Sequence, residues 1–426
     1  MTEVIATNET ILVVGGGISG VTAALEAAEA GKDVILLEKR PYIGGRVTQL
    51  YKYFPKLCFP TCGLEINQRR IKANPNLRLF TMAEVTEVSG QEGDYTVKVT
   101  LHPRYVNENC TACGECAKAV EAEFDDEFNY NLKKRKGAYL PYAMAYPERY
   151  VLDPRILGTE DAERAKAACK YDAIDLDMQP EEIELRVGAI VWATGWRPYD
   201  AAKIQPYGYD RIENVISSVE FERMMDPFGP TGGKLVRPSD GKPAKNVAFI
   251  QCAGSRDRNH LLHCSRICCM ASLKQTTYVL DTYGEEADVS IYYIDIRAID
   301  RFEDFYRKVR ENPQVKFIKS KVARIDKDKQ TGNPILHGVD TEGYHRYANQ
   351  HDLVVLAIGM EPAVDQFPMP VVVNREGFIE NDPANGGIFA AGCASDALDV
   401  NRSVQSATAA ALRAIQVVNR VARAEV

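Results

Sequence analysis

The chain has 426 residues, enough for two or three domains of ordinary size with substantial cores. Hydrophobic residues make up 45% and charged residues 26%, a balance that excludes a disordered or fibrous chain. The 59 acidic and 52 basic side chains leave a formal charge of -7, a field that repels polyanions and argues against a dedicated nucleic-acid binder while leaving room for a local basic patch.

The start, MTEVIATNETI, has neither a basic nor an apolar leader region, so no secretory signal is expected and a cytoplasmic location is. The most apolar stretches, ILVVG and DLVVLAIG, fall far short of the roughly 20 residues that span a bilayer, so membrane association is expected only through a partner. Eleven cysteines, an odd and tightly clustered set, point to metal or redox chemistry rather than a disulfide framework.

In chain order, residues 10–38 read as strand, glycine turn, helix and strand: ILVVG, GGISG, VTAALEAAEAG and DVILLE. From about 105 to 180 the pattern breaks into a cysteine cluster, an acidic run, KKRK and an aromatic stretch spotted with prolines, which reads as an insertion. VGAIVWATG restores α/β patterning. NVAFIQCAG, CSRICCMASLKQTTYVLD and ADVSIYYID then repeat the strand, turn, helix and strand order. DLVVLAIG, GGIFAAGCASD and an amphipathic helix through SVQSATAAALRAIQVVNRVA end the chain.

Gly15, Gly17 and Gly20 form G-x-G-x-x-G between a strand and a helix, where glycines let backbone N–H groups approach a pyrophosphate. Glu38 follows Gly15 by 23 residues, at the end of the second strand, where a carboxylate accepts ribose hydroxyls. Gly44-Gly45-Arg46, Ala193-Thr194-Gly195 and Gly392 to Asp396 favour FAD over a nicotinamide. These motifs resemble the two-dinucleotide-binding-domain flavoproteins, a Rossmann-like and thioredoxin-reductase-like α/β fold. That resemblance implies that Asp396 meets the ribityl and phosphate region and that a helix from about Ser403 points at the isoalloxazine. It also implies that Lys39 and Val85 join the FAD-binding set.

The second βαβ pattern carries NVAFIQCAGSRDRNHLLHCSRICCM where a glycine fingerprint for NAD(P)H would stand. Cys264 and Cys268 are four apart and share a face if the segment is helical, with Cys252 at the end of the preceding strand. Cys269 lies about 100° round from Cys268 and joins them only if the helix begins irregularly. Four thiolates on an iron-sulfur cluster leave a net anion, which Arg256, Arg258, His260, His263 and Arg266 balance. Zinc or four buried thiols are the alternatives.

Cys110, Cys113 and Cys116 keep the first three positions of a ferredoxin C-x2-C-x2-C-x3-C-P run, but the fourth is Val120 or near it and no proline follows. The second run has lost its first three cysteines across LGTEDAERAKAA. Cys169 resembles its fourth cysteine and by the crossover rule completes the first cluster. Zinc or an empty remnant are the alternatives, and KKRK reads as a solvated face or a partner-docking surface. Cys58 and Cys62, at C-x3-C, read as ordinary thiols or a flavin-proximal dithiol, and Cys393 as a small buried residue.

C-x-G-S-R with C-S-R-I-C-C, GGR, NENCTACGEC and KRKGAYLPYAMAYPERYVLD are similar to the A subunit of heterodisulfide reductase, where such cysteines hold a [4Fe-4S] cluster next to the flavin. The compact length resembles the A subunit of the quinone-interacting membrane-bound oxidoreductase complex of sulfate reducers. That resemblance implies three partners: adenylylsulfate reductase, a flavin and iron-sulfur B subunit, and a haem-containing membrane C subunit. It also implies a peripheral place on the cytoplasmic face of the inner membrane. The expected division is 1–104 and 366–426 for parts of the FAD-binding domain, 105–180 for a degenerate ferredoxin-like insertion, 181–242 for the return and linker, and 243–365 for the second Rossmann-like domain. The expected function is an FAD and iron-sulfur electron-transfer subunit with no catalytic acid or base. An NAD(P)H-dependent disulfide reductase using Cys58 and Cys62, or a metal-stabilised scaffold, are the other readings.

Overall fold

The computed structural model describes residues 6–363 and 367–424. The expected boundary at 365/366, and the first five residues of the leader reading, lie outside them. Two compact units emerge, one of residues 1–48, 61–196 and 362–426, the other of 49–60 and 197–361.

The first unit is built on a five-stranded parallel sheet in the order Ile388–Ala390, Ala189–Trp192, Ile11–Val14, Val34–Glu38 and Leu77–Thr81. These strands are short apolar runs because both faces are covered, as parallel sheets require. The order reverses at Ile11–Val14, so a crevice opens beyond the carboxyl ends of the strands, where such sheets bind ligands. One face carries the helices Ile18–Glu29 and Val400–Ala424, which meet through Ala23, Ala24, Ala27, Ala407, Ala410, Ala411 and Ala414. The last helix begins at Val400, one turn earlier than the sequence indicates, because Asp399 Oδ1 accepts the Arg402 N–H at 3.0 Å and caps it.

A three-stranded antiparallel sheet, Glu181–Val187, Asp94–Leu101 and Ala83–Gln91, covers the other face. Its register pairs Glu181 with Leu101, so residues 102–180 leave and rejoin the unit at adjacent strand ends. That is why an insertion is accommodated there without disturbing the sheet. Its own small core gathers Val106, Cys116, Val120, Ile156, Ala162, Ala165 and Ile174 around the helices Glu115–Ala119 and Glu160–Ala168.

The second unit repeats the plan. Val215–Ser217, Leu353–Ile358, Asn246–Ala253, Asp288–Tyr293 and Val315–Lys319 form a parallel sheet, and Arg324–Lys327, Pro334–Asp340 and His345–Gln350 an antiparallel one. Residues 197–242, expected as a return and linker of the FAD-binding domain, lie in this unit instead. The reason is that Val215–Ser217 is an edge strand of its sheet and the helix Ser218–Met225 packs into its core.

A buried ion pair fastens residues 49–60 to this unit. Lys274 Nζ lies 2.8 Å from Glu222 Oε1, with the side chains 2% and 3% exposed, and also donates to Lys52 O at 2.7 Å. Glu222 further accepts from Gln275 Nε2 at 2.7 Å, Tyr51 N at 3.0 Å and Tyr278 OH at 3.3 Å. Every charge is therefore satisfied, the condition under which a buried pair is tolerated. Glu222→Leu alone, which strands the ammonium, is expected to cost about 3–5 kcal/mol in urea unfolding followed by circular dichroism. Glu222→Leu with Lys274→Met is expected to recover most of it, and equal losses in both variants would contradict this account.

Candidate functional site

The strand Ile11–Val14 turns into its helix through glycines whose side chains have no room. Gly15 has φ +106°, and a Cβ on it would come within 2.4 Å of Ala193 O; one on Gly20 would come within 1.7 Å of Gly15 O. Gly17 is the N-cap of Ile18–Glu29 and supplies no side-chain acceptor, so the first-turn N–H groups stay available to an anion. The GGR turn lies against this loop: Gly44 N donates to Gly16 O at 2.7 Å, and a Cβ on Gly45 would meet Gly17 Cα at 2.8 Å.

Glu38 is buried, and its two oxygens accept the N–H groups of Gly16 and Arg40, each at 2.7 Å. Burial raises its pKa, and those hydrogen bonds together with the Arg40 cation oppose the rise. Arg46 stacks on Trp196 with its guanidinium 5.0 Å from the ring centroid and donates to Trp196 O at 2.7 Å and Tyr130 OH at 3.2 Å. Burial pulls its pKa down, and all of these partners are neutral, so its charge is left for an anionic ligand. Gly195, at φ +74°, has open space where a Cβ would point, and Thr194 Oγ1 donates to Ala363 O at 3.3 Å. Gly392, at φ +62°, would place a Cβ 1.9 Å from Ser19 Oγ, and Asp396 is exposed nearby in the chain.

The structure therefore brings Gly15, Gly17, Glu38, Gly44, Gly45, Arg46, Thr194, Gly195, Gly392 and Asp396 to the carboxyl ends of the parallel strands or the segments that follow them, with Gly20 in the first turn of the helix Ile18–Glu29. A glycine cradle, a helix N-terminus and an unneutralised cation fit a dinucleotide such as FAD. Lys39 also pairs with Glu84 at 2.6 Å, and Val85 is half-buried in the antiparallel sheet. Sequence reasoning missed the stacked Phe128 and Tyr142, which Tyr42 meets edge-on, and the bonds from Tyr142 OH to Ile43 O and Ile43 N to Tyr146 O that hold the insertion over the GGR turn. The signal available was the aromatic stretch itself, unusual for a solvated loop.

In the second unit the strand Asn246–Ala253 ends in a bulge, with Cys252 at φ +57°. Residues 254–267 then intervene before the helix Cys268–Tyr283, where the first unit uses only residues 15–17. Cys264 lies in this excursion, so the expectation that Cys264 and Cys268 share a helical face is corrected. The loop is pinned by Ser255 Oγ to Ser265 Oγ at 2.8 Å, Met360 N to Ser265 Oγ at 2.8 Å and His263 Nε2 to Met360 O at 2.8 Å, which leave no straight helical path through Cys264. The helix starts only at Cys268, and so Cys268 and Cys269 both stand in its first turn.

These four thiols act on one another. Cys268 is raised well above the usual thiol range, first by burial and then by Cys252, Cys269 and Cys264. Burial pushes Cys269 up to about 11, with Cys252 and Cys264 adding to it. Arg256 Nη1 lies 4.0 Å from Cys252 Sγ and 2.6 Å from Asp295 Oδ1, and Arg266 N donates to Cys264 Sγ at 3.3 Å. Asp295 follows the strand Asp288–Tyr293, the place where a dinucleotide-binding unit presents its ribose-binding carboxylate. Here that carboxylate holds an arginine toward a thiol instead.

The insertion gathers its own set. Cys116 is buried in the helix Glu115–Ala119, and Cys169 caps the helix Glu160–Ala168 and accepts the Ala173 N–H at 3.4 Å. Burial pushes Cys116 up to about 11, with Cys110, Cys113 and Cys169 contributing. Val120, at the lost fourth position, is a core residue. In both sets burial disfavours a thiolate, at Cys116, Cys268 and Cys269, and N–H groups donate to sulfur at Cys169 and Cys264; a cationic iron-sulfur core would stabilise the thiolates in such a place. Among the described residues, no three His, Cys, Asp or Glu side chains form a group fitted to a single metal ion.

KKRK is not a free basic face. Lys133, Lys134, Arg135 and Lys136 pair with Asp126, Asp125, Glu127 and Glu123. Cys58 and Cys62 are both exposed, and the boundary between the units falls between them in the chain. Cys393 is buried and donates to Leu398 O at 3.3 Å.

Glu38→Gln keeps the volume but only one acceptor oxygen, so one of the two N–H bonds is lost along with the charge. A ten- to hundredfold weaker affinity of the apoprotein for FAD is expected by fluorescence titration, the worth of about 1.5–3 kcal/mol for a hydrogen bond to a charged group. Unchanged affinity would remove Glu38 from the site.

Residues 10–103 match the family described as FAD dependent oxidoreductase. The chain is 39% identical over 418 residues to the iron-sulfur A 2 subunit of the CoB--CoM heterodisulfide reductase of Methanopyrus kandleri, covering 95% of this chain and 63% of that protein. It is 39% identical to the corresponding iron-sulfur A subunit of Methanocaldococcus jannaschii (96% and 64% covered). It is 35% identical to the A subunit of the ferredoxin/F(420)H(2)-dependent CoB-CoM heterodisulfide reductase of Methanosarcina acetivorans (97% and 54%). The chain thus spans between about half and two thirds of the length of these relatives. Lactococcus lactis thioredoxin reductase, in its FR conformation, shares the fold at 13% identity, with a TM-score of 0.54 over 97% of this chain and 99% of that one. Over nearly its whole length the chain is similar to heterodisulfide reductase A subunits, and it shares the two-domain fold of thioredoxin reductase.

Proposed function

We propose that this chain is an FAD and iron-sulfur electron-transfer subunit of an oxidoreductase complex. The observation that carries the reading is the contrast between its two similar units. One keeps a glycine cradle for a dinucleotide, and the other has exchanged that turn for Cys252, Cys264, Cys268 and Cys269. Without a nicotinamide cradle in the second unit, the electrons are exchanged with protein partners, and the insertion's Cys110, Cys113, Cys116 and Cys169 supply a second [4Fe-4S] site. FAD, when bound, couples two-electron to one-electron chemistry.

The chain's own residues do the holding. The Gly15–Gly20 turn and Arg46 bind the negative pyrophosphate, Glu38 receives the ribose hydroxyls, and Asp396 orients the ribityl region. Arg256, fixed by Asp295, sets the electrostatics at Cys252. The names of the relatives support an iron-sulfur component of a multi-subunit reductase.

A narrower reading follows from the resemblance to the quinone-interacting complex of sulfate reducers: relay between a membrane quinone module and adenylylsulfate reductase, with B and C subunits as partners. Among the described residues no helix is long and apolar enough to cross a membrane, so on this reading the membrane is reached through those partners.

Iron, acid-labile sulfide, zinc and flavin per anaerobically purified chain test the proposal, and about eight irons with one FAD are expected. Zinc without sulfide, or flavin bleached by NAD(P)H, would overturn it. Cys268→Ala and Cys169→Ala are each expected to remove one cluster, about half the iron, while FAD is retained, since the second-unit thiol and the FAD residues belong to separate compact units and Cys169 lies outside the glycine cradle. Full iron in either variant would strike that cysteine from the ligands.

A further inference from the structure

An arginine with only neutral hydrogen-bond acceptors is buried next in the chain to Tyr105 and Val106, which pack in the insertion's small core together with Cys110, Cys116 and Cys169. Arg104 stands at the root of the insertion, just past the strand Asp94–Leu101, and is 7% exposed. Its Nη1 donates to Arg149 O at 3.0 Å, and its Nη2 donates to Pro41 O at 2.6 Å and Thr81 Oγ1 at 2.9 Å. All three acceptors are neutral. Burial and the neighbouring Arg149 cation pull its pKa down to about 10, while Tyr139 and Cys110 are the groups that favour its charge. Of the other charges near the cysteine set, Glu108, Glu115 and Lys118 are exposed and screened by solvent, and the partly buried Arg149 lies 4.0 Å from the Glu108 carboxylate.

Taking a guanidinium out of water costs far more than hydrogen bonds to neutral acceptors return. Such a cation is retained where an anion lies close in the loaded protein. A [4Fe-4S] core bound by four cysteine thiolates carries net negative charge, and Cys110, Cys116 and Cys169 pack in the small core that begins beside Arg104 at Tyr105 and Val106.

We propose that Arg104 is the buried counter-cation of a cluster held by Cys110, Cys113, Cys116 and Cys169, raising its reduction potential while clamping the root of the insertion to Pro41 and Thr81. The inference rests on the cluster reading above. Reduction adds one electron to the cluster from a reductant, dithionite in the test, and no bond or proton need move. The added negative charge is stabilised by a fixed positive charge nearby, so loss of that charge favours the oxidised form. Arg104 acts through the cysteines and is a positioning residue.

The test compares the full chain with Arg104→Gln and Arg104→Lys, each reconstituted anaerobically with iron, sulfide and FAD, by EPR-monitored redox titration. The cluster at Cys252, Cys264, Cys268 and Cys269 serves as the internal reference. Arg104→Gln is expected to shift the reduction equilibrium of the insertion's cluster about tenfold toward the oxidised form, ~59 mV lower for a one-electron couple, with the reference unmoved. Arg104→Lys, which keeps the charge, is expected to stay close to the parent. A complete cluster with an unmoved potential in Arg104→Gln would overturn the proposal. If Arg104→Gln loses the cluster, retention at the parent potential in Arg104→Lys supports it, and loss from both assigns the residue to clamping alone and overturns it. A parent chain whose iron is unchanged by Cys169→Ala would instead overturn the cluster reading on which the proposal stands.

Discussion

A Cβ on Gly20 would stand 1.7 Å from the Gly15 carbonyl oxygen, and one on Gly15 would stand 2.4 Å from that of Ala193. The first unit depends on this meeting of backbone with backbone. It lets the helix Ile18–Glu29 begin immediately beyond the strand Ile11–Val14, which in turn points unpaired N–H groups into the crevice where strand order reverses. The GGR turn and Gly392 close onto the same place for the same reason: each glycine occupies a left-handed backbone and a space too small for a methyl group. The cradle is thus a property of packing as much as of binding.

The second unit keeps the sheet order and loses the close approach. The bulge before Ala253 and the positive φ of Cys252 turn the chain away, and residues 254–267 make a separate hydrogen-bonded loop before the helix starts. The gap between strand and helix is filled by sulfur in place of backbone N–H groups. Asp295 stays where the architecture places an acidic residue, but its partners are now Arg256 and Arg297, whose charges hold it ionised against the effect of burial. One scaffold thereby presents a glycine cradle in one unit and four thiols in the other.

Buried charge separates structure from function in this chain. Lys274 and Glu222 are buried as a pair with every polar atom of the pair engaged, and they serve to tie residues 49–60 to the second unit. Arg46 and Arg104 are largely buried cations whose partners are carbonyls, hydroxyls and a ring. Desolvating a cation against neutral acceptors alone is costly, which is the ground for the anions proposed beside these two positions.

Local patterns carried much of this. G-x-G-x-x-G with Glu38, the ATG and the Gly392 segment identified the cradle because each requires a residue type at a fixed backbone position, and the cysteine spacings identified two sets of thiols because Cys chemistry does not depend on context to be noticed. The boundary at 197–242 was not legible, since a three-residue edge strand such as Val215–Ser217 has no period of its own and is decided by the sheet it joins. Nor was the loop position of Cys264: its four-residue spacing from Cys268 is compatible with a helix, and only the hydrogen bonds of Ser265 and His263 to the chain near Met360 prevent one. The roles of KKRK and Arg104 were hidden for the same reason, because whether a charge is paired, screened or buried depends on neighbours far away in the chain. The sequence by itself determined the kind of chemistry, through glycines and cysteines whose meaning is local. Tertiary structure decided which charges are free to serve it, because desolvation and ion pairing belong to the packed molecule and to no single segment.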